Sequence, residues 1–291
     1  MNAHALRTST FLVVLALASA RIAAQWDPYP TRGAPKLANG QPNLDAPAPK
    51  TADGKPDLTG VWENFGWDRP STSISGTGGA PPGPGAAPAP ARSDAAPSGP
   101  NLFFDIGAGV PGGLPFQPWA ADLKKKRMAD HSKDNPDAHC LPMGNMQFHT
   151  HPQPRKIIQT PDVVVILYEG NSGIRQIFTD GRPLPPKDAQ PTWYGYSSGT
   201  WIGDTLVVTT SRFRDGGWLD VNGSPLTDAA TMTERYRRVN YGTLEMRITV
   251  DDPKAYTKPW DVTIRQRIML DTDLIEFICG ENEKSTRYFD K

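Results

Sequence analysis

The sequence predicts a mainly β protein, an antiparallel up-and-down barrel with one helix ahead of the barrel strands, a β-sandwich being the alternative. Three observations carry this reading. Short β-rich runs follow one another after Arg155 with turn residues between them. One of them, residues 243–250, alternates cleanly, with Leu244, Met246, Ile248 and Val250 on one face and Thr243, Glu245, Arg247 and Thr249 on the other. Roughly eight or nine such strands joined by short turns expose sheet edges unless the sheet closes.

The elements are justified in chain order. Residues 1–24 carry Arg7, then the apolar run 11–18, then small residues ending at Ala20 or Ala24, the layout of a secretory signal peptide too short to anchor in a membrane. Cleavage after Ala24 removes Arg7 and Arg21 but no acid. Residues 25–57 are rich in Pro and Asn and lack periodicity, so an irregular segment is expected. The single β domain is expected over 58–291 and opens at Leu58-Thr59-Gly60-Val61-Trp62. Within it, residues 71–100 are almost pure Gly, Pro, Ala and Ser, too poor in apolar groups to order themselves.

A helix is predicted over 118–131. Pro118 suits its first turn, Trp119, Leu123 and Met128 are expected to share one face, and Lys124 to Arg127 form a solvated basic stretch. Strands follow over 157–158, 163–168, 174–178, 199–202, 205–210, 232–239, 243–250, 261–270 and 274–279. Between them stand the turn signals Asn171-Ser172-Gly173, Asp180-Gly181, Gly203-Asp204, Asn240-Tyr241-Gly242 and Asp271-Thr272-Asp273.

Composition removes several function classes. The 291 residues hold 31 basic and 31 acidic side chains, which argues against a nucleic-acid partner. Beyond the signal region no run is long enough to span a membrane, so no stable membrane insertion is expected after cleavage. In a periplasmic or secreted location the two cysteines, Cys140 and Cys279, read most economically as one long-range disulfide.

Several segments resemble a family of uncharacterised secreted bacterial proteins. They include Asp53-Gly54-Lys55-Pro56-Asp57-Leu58-Thr59-Gly60-Val61-Trp62, Phe178-Thr179-Asp180-Gly181-Arg182, Trp201-Ile202-Gly203-Asp204, Thr233-Glu234-Arg235-Tyr236 and Tyr256-Thr257-Lys258-Pro259-Trp260. The resemblance implies secretion but supplies no chemistry. A His-Ser pair that often precedes the family's Glu-Arg-Tyr is replaced here by Leu226-Thr227. Gly60-Val61-Trp62 also resembles the Gly-x-Trp of lipocalin-like (calycin) barrels. That likeness implies a Trp plugging the closed barrel end beneath a late Arg, for which Arg265, Arg267 and Arg287 are the candidates.

Candidate chemistry is sparse. His149-Thr150-His151, with His139 nearby and Glu169 as a distant acid, is the most metal-like pattern, because alternate residues of a strand point the same way. Pro152 and Pro154 argue against a regular strand there, so a polar loop is favoured and no cofactor or metal is expected. Glu234 shares a strand face with Met232, Tyr236 and Arg238. It reads either as a general acid or base with a raised pKa or, with more weight, as a structural ion pair with an Arg of a neighbouring strand. Glu276, between Leu274 and Ile278, invites the same two readings. Trp193, Tyr194, Tyr196 and Trp201 form the densest aromatic cluster. With Trp218, Trp260 and Tyr236 they are expected to line a pocket at the barrel mouth. No Gly-x-x-x-x-Gly-Lys-Ser/Thr phosphate loop and no His-Glu-x-x-His occurs.

The sequence therefore points to a secreted or periplasmic β-barrel that binds a small, largely apolar or aromatic molecule. A hydrolase, hydratase or isomerase using Glu234 or a His is the first alternative, and an envelope interaction protein the second.

Overall fold

The computed structural model describes residues 30–67 and 106–281; the expected signal peptide, the Pro/Gly/Ala-rich insertion and Arg287 lie outside them. Strand β1 is Gly60–Trp67, followed by helices α1 (Pro118–Ala129) and α2 (Asn145–Thr150). Then come β2 (Arg155–Gln159), β3 (Val163–Tyr168), β4 (Ile174–Phe178), β5 (Tyr196–Ile202) and β6 (Thr205–Ser211). A short hairpin, β7 (Gly217–Trp218) with β8 (Pro225–Leu226), precedes β9 (Thr231–Arg238), β10 (Thr243–Asp251) and β11 (Trp260–Met269).

Nine of these strands close into one barrel in the order β1-β11-β10-β9-β6-β5-β4-β3-β2, with the β7–β8 hairpin outside it. An odd ring cannot alternate direction throughout. The one parallel contact is β4 with β5, where Ile177 faces Ser197 and Phe178 faces Ser198 across the long 179–195 connection. The predicted barrel is thus present, as a meander interrupted at that seam. The final predicted strand, 274–279, is absent: β1 is already paired on both sides, by β11 and by β2, so no edge is left to receive it. Glu276 is accordingly exposed rather than set in a sheet face.

Alternation places the core. Leu244, Met246, Ile248 and Val250 of β10 meet Trp260, Val262 and Ile264 of β11 inside the barrel. The outer face of the same strands carries charge. Glu245 bridges Arg237 of β9 and Arg265 of β11, while Arg267 pairs with Glu63 of β1.

One barrel end is closed by Trp62, which is fully buried and donates its indole N–H to the Leu58 carbonyl at 3.0 Å. The guanidinium over it belongs to Arg238 of β9, at 4.9 Å from the ring, not to Arg265 or Arg267. In β11 the even-numbered positions face inward, so both of those arginines point to solvent.

The opposite mouth is filled by α2, all six residues of which are buried. Phe148 stacks on the inward-facing Tyr168 of β3 with centroids 4.3 Å apart, and the Asn64 amide of β1 donates to the carbonyls of His149 and His151. Gly173 makes room for this plug, since a Cβ there would lie 2.2 Å from the Phe148 ring.

Helix α1 begins at Pro118 as expected and stops before His131 and Ser132, both at positive φ. Its buried position is Ala120; Trp119 and Met128 are about half exposed, which corrects the predicted face. The face turned to the protein follows Ala120, Leu123, Lys124 and Arg127, spaced at three and four residues. Cys140 and Cys279 form the expected disulfide, across 139 residues of sequence. Among the described residues no helix is long and apolar enough to cross a membrane.

Candidate functional site

Two features gather functional side chains, a buried charge cluster under α2 and an open cleft outside the same mouth.

Glu234 is the centre of the first. It faces inward with Met232, Tyr236 and Arg238, as its strand alternation predicts. Its partner is Arg175 of β4, which reaches across the barrel rather than from a neighbouring strand. Arg175 Nη1 donates to Glu234 Oε1 at 2.8 Å and Nη2 to Oε2. The Tyr236 hydroxyl donates to Oε1 at 2.8 Å, and His149 Nε2 lies 2.9 Å from the same oxygen. Ser197 and Thr210 accept from Nε and Nη2 at 3.0–3.3 Å, and the Tyr236 hydroxyl accepts from Nη1 at 3.2 Å.

Burial alone would raise the Glu234 pKa, but the charge and hydrogen bonds of Arg175, with the His149 contact, outweigh it and hold the carboxyl well below the usual range. That is the opposite of the raised pKa a general acid needs, and it favours the structural ion pair. Burial, joined by the charges of Arg175 and Arg155, lowers the His149 pKa against the opposing pull of Glu234, keeping the ring neutral. Facing an ionised carboxylate, the neutral ring carries its proton on Nε2; Nδ1 makes no hydrogen bond.

The metal-like pattern does not assemble as a strand would arrange it. His149 lies in α2, His151 caps it, and His139 is exposed with Nε2 2.7 Å from the Lys133 carbonyl. Glu169 accepts from the Ile275 amide instead. Among the described residues no three His, Cys, Asp or Glu side chains converge as a ligand set.

The aromatic residues separate. Tyr236 is in the charge cluster, and Tyr194 packs against Phe148 at 5.6 Å. The Tyr196 hydroxyl donates to the Gln190 carbonyl. Trp260 is core, edge-on to Tyr256. Trp201 lines a cleft of about 330 Å³ with Lys55, Gln159 and Pro161.

Only Trp193 and Trp218 come together. They line a cleft of about 360 Å³ between α1 and the 214–218 turn. Arg127 lies over Trp218 at 4.3 Å and Arg214 over Trp193 at 4.7 Å. Lys126, Asp130, Asp134 and Asp215 complete a rim of mixed charge. Gly144, the residue before α2, abuts both tryptophan carbonyls, so the cleft sits directly outside the plugged mouth.

Arg127 and Arg214 escaped sequence reasoning. Arg127 had a signal, its spacing seven residues from Ala120, but the Lys-Arg run around it masked that spacing. Leu226 and Thr227 are buried, the Thr227 hydroxyl donating to Asp252 at 2.7 Å.

In comparison with known proteins, no family model, no curated protein and no solved structure matches this chain.

Proposed function

We propose that this is a secreted or periplasmic, lipocalin-like barrel protein that binds a small planar, largely apolar or aromatic molecule in the Trp193–Trp218 cleft. The observation that carries the reading is the half-buried Trp193 beside Arg214 in a cleft with charge of both signs at its rim, the buried Trp218 under Arg127 forming its inner wall. Aromatic floors favour planar ligands, and a few charged groups around them orient a polar substituent. Packing supports the location: α2 fills one mouth and Trp62 with Arg238 the other, and the cleft lies outside the plug. The disulfide supports an oxidising compartment.

The test is native mass spectrometry of the protein purified from its secretory compartment, followed by tryptophan-fluorescence titration with a panel of aromatic acids and amines. A co-purifying organic mass or a saturable panel member, lost in Trp193→Ala while the fold is kept, supports the proposal. Binding that survives Trp193→Ala, or no binding below millimolar concentrations, overturns it.

A further inference from the structure

The barrel interior beneath α2 holds more positive than negative charge. Among the described residues, Arg155 of β2 and Arg175 of β4 face a single carboxylate, Glu234, and Arg175 takes both of its oxygens. The other buried carboxylates lie in loops with their own partners, Asp220 with Ser224 and Asp252 with Thr227.

Arg155 is 1% exposed and forms no ion pair among the described residues. Its Nη2 donates to the His151 and Gln153 carbonyls at 3.2 and 3.4 Å, while Nε and Nη1 make no hydrogen bond. Directly opposite in the β2–β3 ladder stands Tyr168, which also faces inward. Its hydroxyl lies beside the Arg175 guanidinium, but its proton has no acceptor among the described residues. Inward side chains at opposed ladder positions lie within contact distance of each other, so the two sets of unsatisfied donors share one place.

Leaving such groups unmatched in the interior is costly. A buried guanidinium without a counter-charge loses its hydration, and each unmade hydrogen bond adds to that loss. Neutralisation by proton loss is closed to it: burial draws Arg155 down only to about 10, so it stays cationic at neutral pH. Neither neighbouring histidine supplies negative charge.

We infer that Arg155 and Tyr168 form an internal site for a small monoanion, a monocarboxylate of formate or acetate size. Arg155 Nη1 and the Tyr168 hydroxyl would donate to it. One negative charge balances the excess, whereas a dianion would overshoot it, and a planar carboxylate suits a guanidinium. The aromatic wall of Phe148 and Tyr168 leaves little room for a long tail. Residues 152–154, between the plug and Arg155, are half-buried rather than fully enclosed. This site lies apart from the tryptophan cleft, and either can fail without the other.

The experiment is a thermal melt of the dialysed mature protein in sodium formate, with sodium sulfate at equal ionic strength as the control, paired with ¹³C-formate NMR. The expected result is a saturable rise in Tm with formate but not with sulfate, with matching saturable broadening of the formate line. Arg155→Met should abolish both responses, and Tyr168→Phe should weaken formate affinity about tenfold by removing one hydrogen bond to a charged group. Equal responses to formate and sulfate, or a formate response that survives in Arg155→Met, overturn the inference. Should Arg155→Met fail to fold, Tyr168→Phe decides: unchanged formate affinity overturns the site.

Discussion

The Arg238 guanidinium lies 4.9 Å above the Trp62 ring and ties the end of β9 to the segment entering β1. Its Nη1 donates to the Asp57 carbonyl at 2.5 Å and its Nη2 to the Tyr241 carbonyl at 2.6 Å. The cation therefore acts as a clasp, holding two chain segments far apart in sequence over the indole that seals the barrel end.

From this clasp, Arg238→Met should destabilise the fold by about 2–3 kcal/mol, since it orphans two carbonyls and removes a desolvated cation–π contact. Trp62→Ala should cost more, about 3–5 kcal/mol, through the cavity it leaves. Arg267→Ala, which breaks a part-exposed pair with Glu63 on the outer face, should stay within about 1 kcal/mol. Urea midpoints of the three variants check the order; an Arg267→Ala loss equal to that of Arg238→Met would sink it.

Glu234→Gln keeps the shape of the side chain and removes its charge, stranding Arg175 in the interior. A loss of about 3–5 kcal/mol is expected, as for one broken partner of a buried pair. Replacing both, Glu234→Gln with Arg175→Met, should recover part of that loss because no orphaned cation remains. If the double variant is less stable than Glu234→Gln alone, the charge pair is not what sets the cost.

Acid should weaken the fold earlier than carboxylate chemistry alone would require. Burial lowers the His151 pKa to about 4, against 6.5 when unfolded, with the Arg155 charge adding to the effect. The unfolded chain then binds more protons than the folded one between these values. The stability contributed is present above 6.5 and lost as pH falls toward 4, about 3 kcal/mol over that window. His149 shifts in the same direction. Glu234, whose folded pKa is depressed, adds its own loss as pH falls through the ordinary carboxylate value and below. Urea midpoints from pH 7.5 to 4.5 should slope downward from 6.5 and fall less steeply in His151→Gln, His149 keeping the rest; a level wild-type profile between 7 and 5 contradicts the reading.

Much of the barrel was legible because half-buried strands announce themselves. Strand β10 alternates residue by residue, and β3 and β4 were predicted to the residue. The same alternation in β11 could have excluded Arg265 and Arg267 from the Trp62 clasp, since Trp260, Val262 and Ile264 set the inward parity. What stayed hidden were positions where the interior is polar. In β4 Arg175 is buried alongside Ile177 while Ile174 is 57% exposed, inverting the usual cue at the strand's start. Helix α2 is buried on every side and so has no apolar stripe to betray it, and its prolines on one flank made His149 to His151 read as loop. The aromatic cluster was visible, but which two tryptophans would meet depended on long connections that carry no periodicity.

The disulfide illustrates how position limits the energy a cross-link delivers. Closing so long a loop should be worth about 4–5 kcal/mol on chain entropy alone if both ends were locked into the cooperative core. Cys279, however, lies ten residues beyond the end of β11, at the end of an unpaired stretch. That stretch is held by few contacts, among them Ser172 to the Phe277 carbonyl, Ile275 N–H to Glu169 and Lys156 to Asp273. Its opening need not open the barrel, so the cross-link chiefly restrains a local segment. Cys140→Ser with Cys279→Ser should therefore cost well under that figure, about 1–2 kcal/mol by urea midpoint, while exposing residues 271–281 to rapid hydrogen exchange and proteolysis. A loss near the full chain-entropy value, with no local rise in exchange, would show instead that the segment unfolds only together with the barrel.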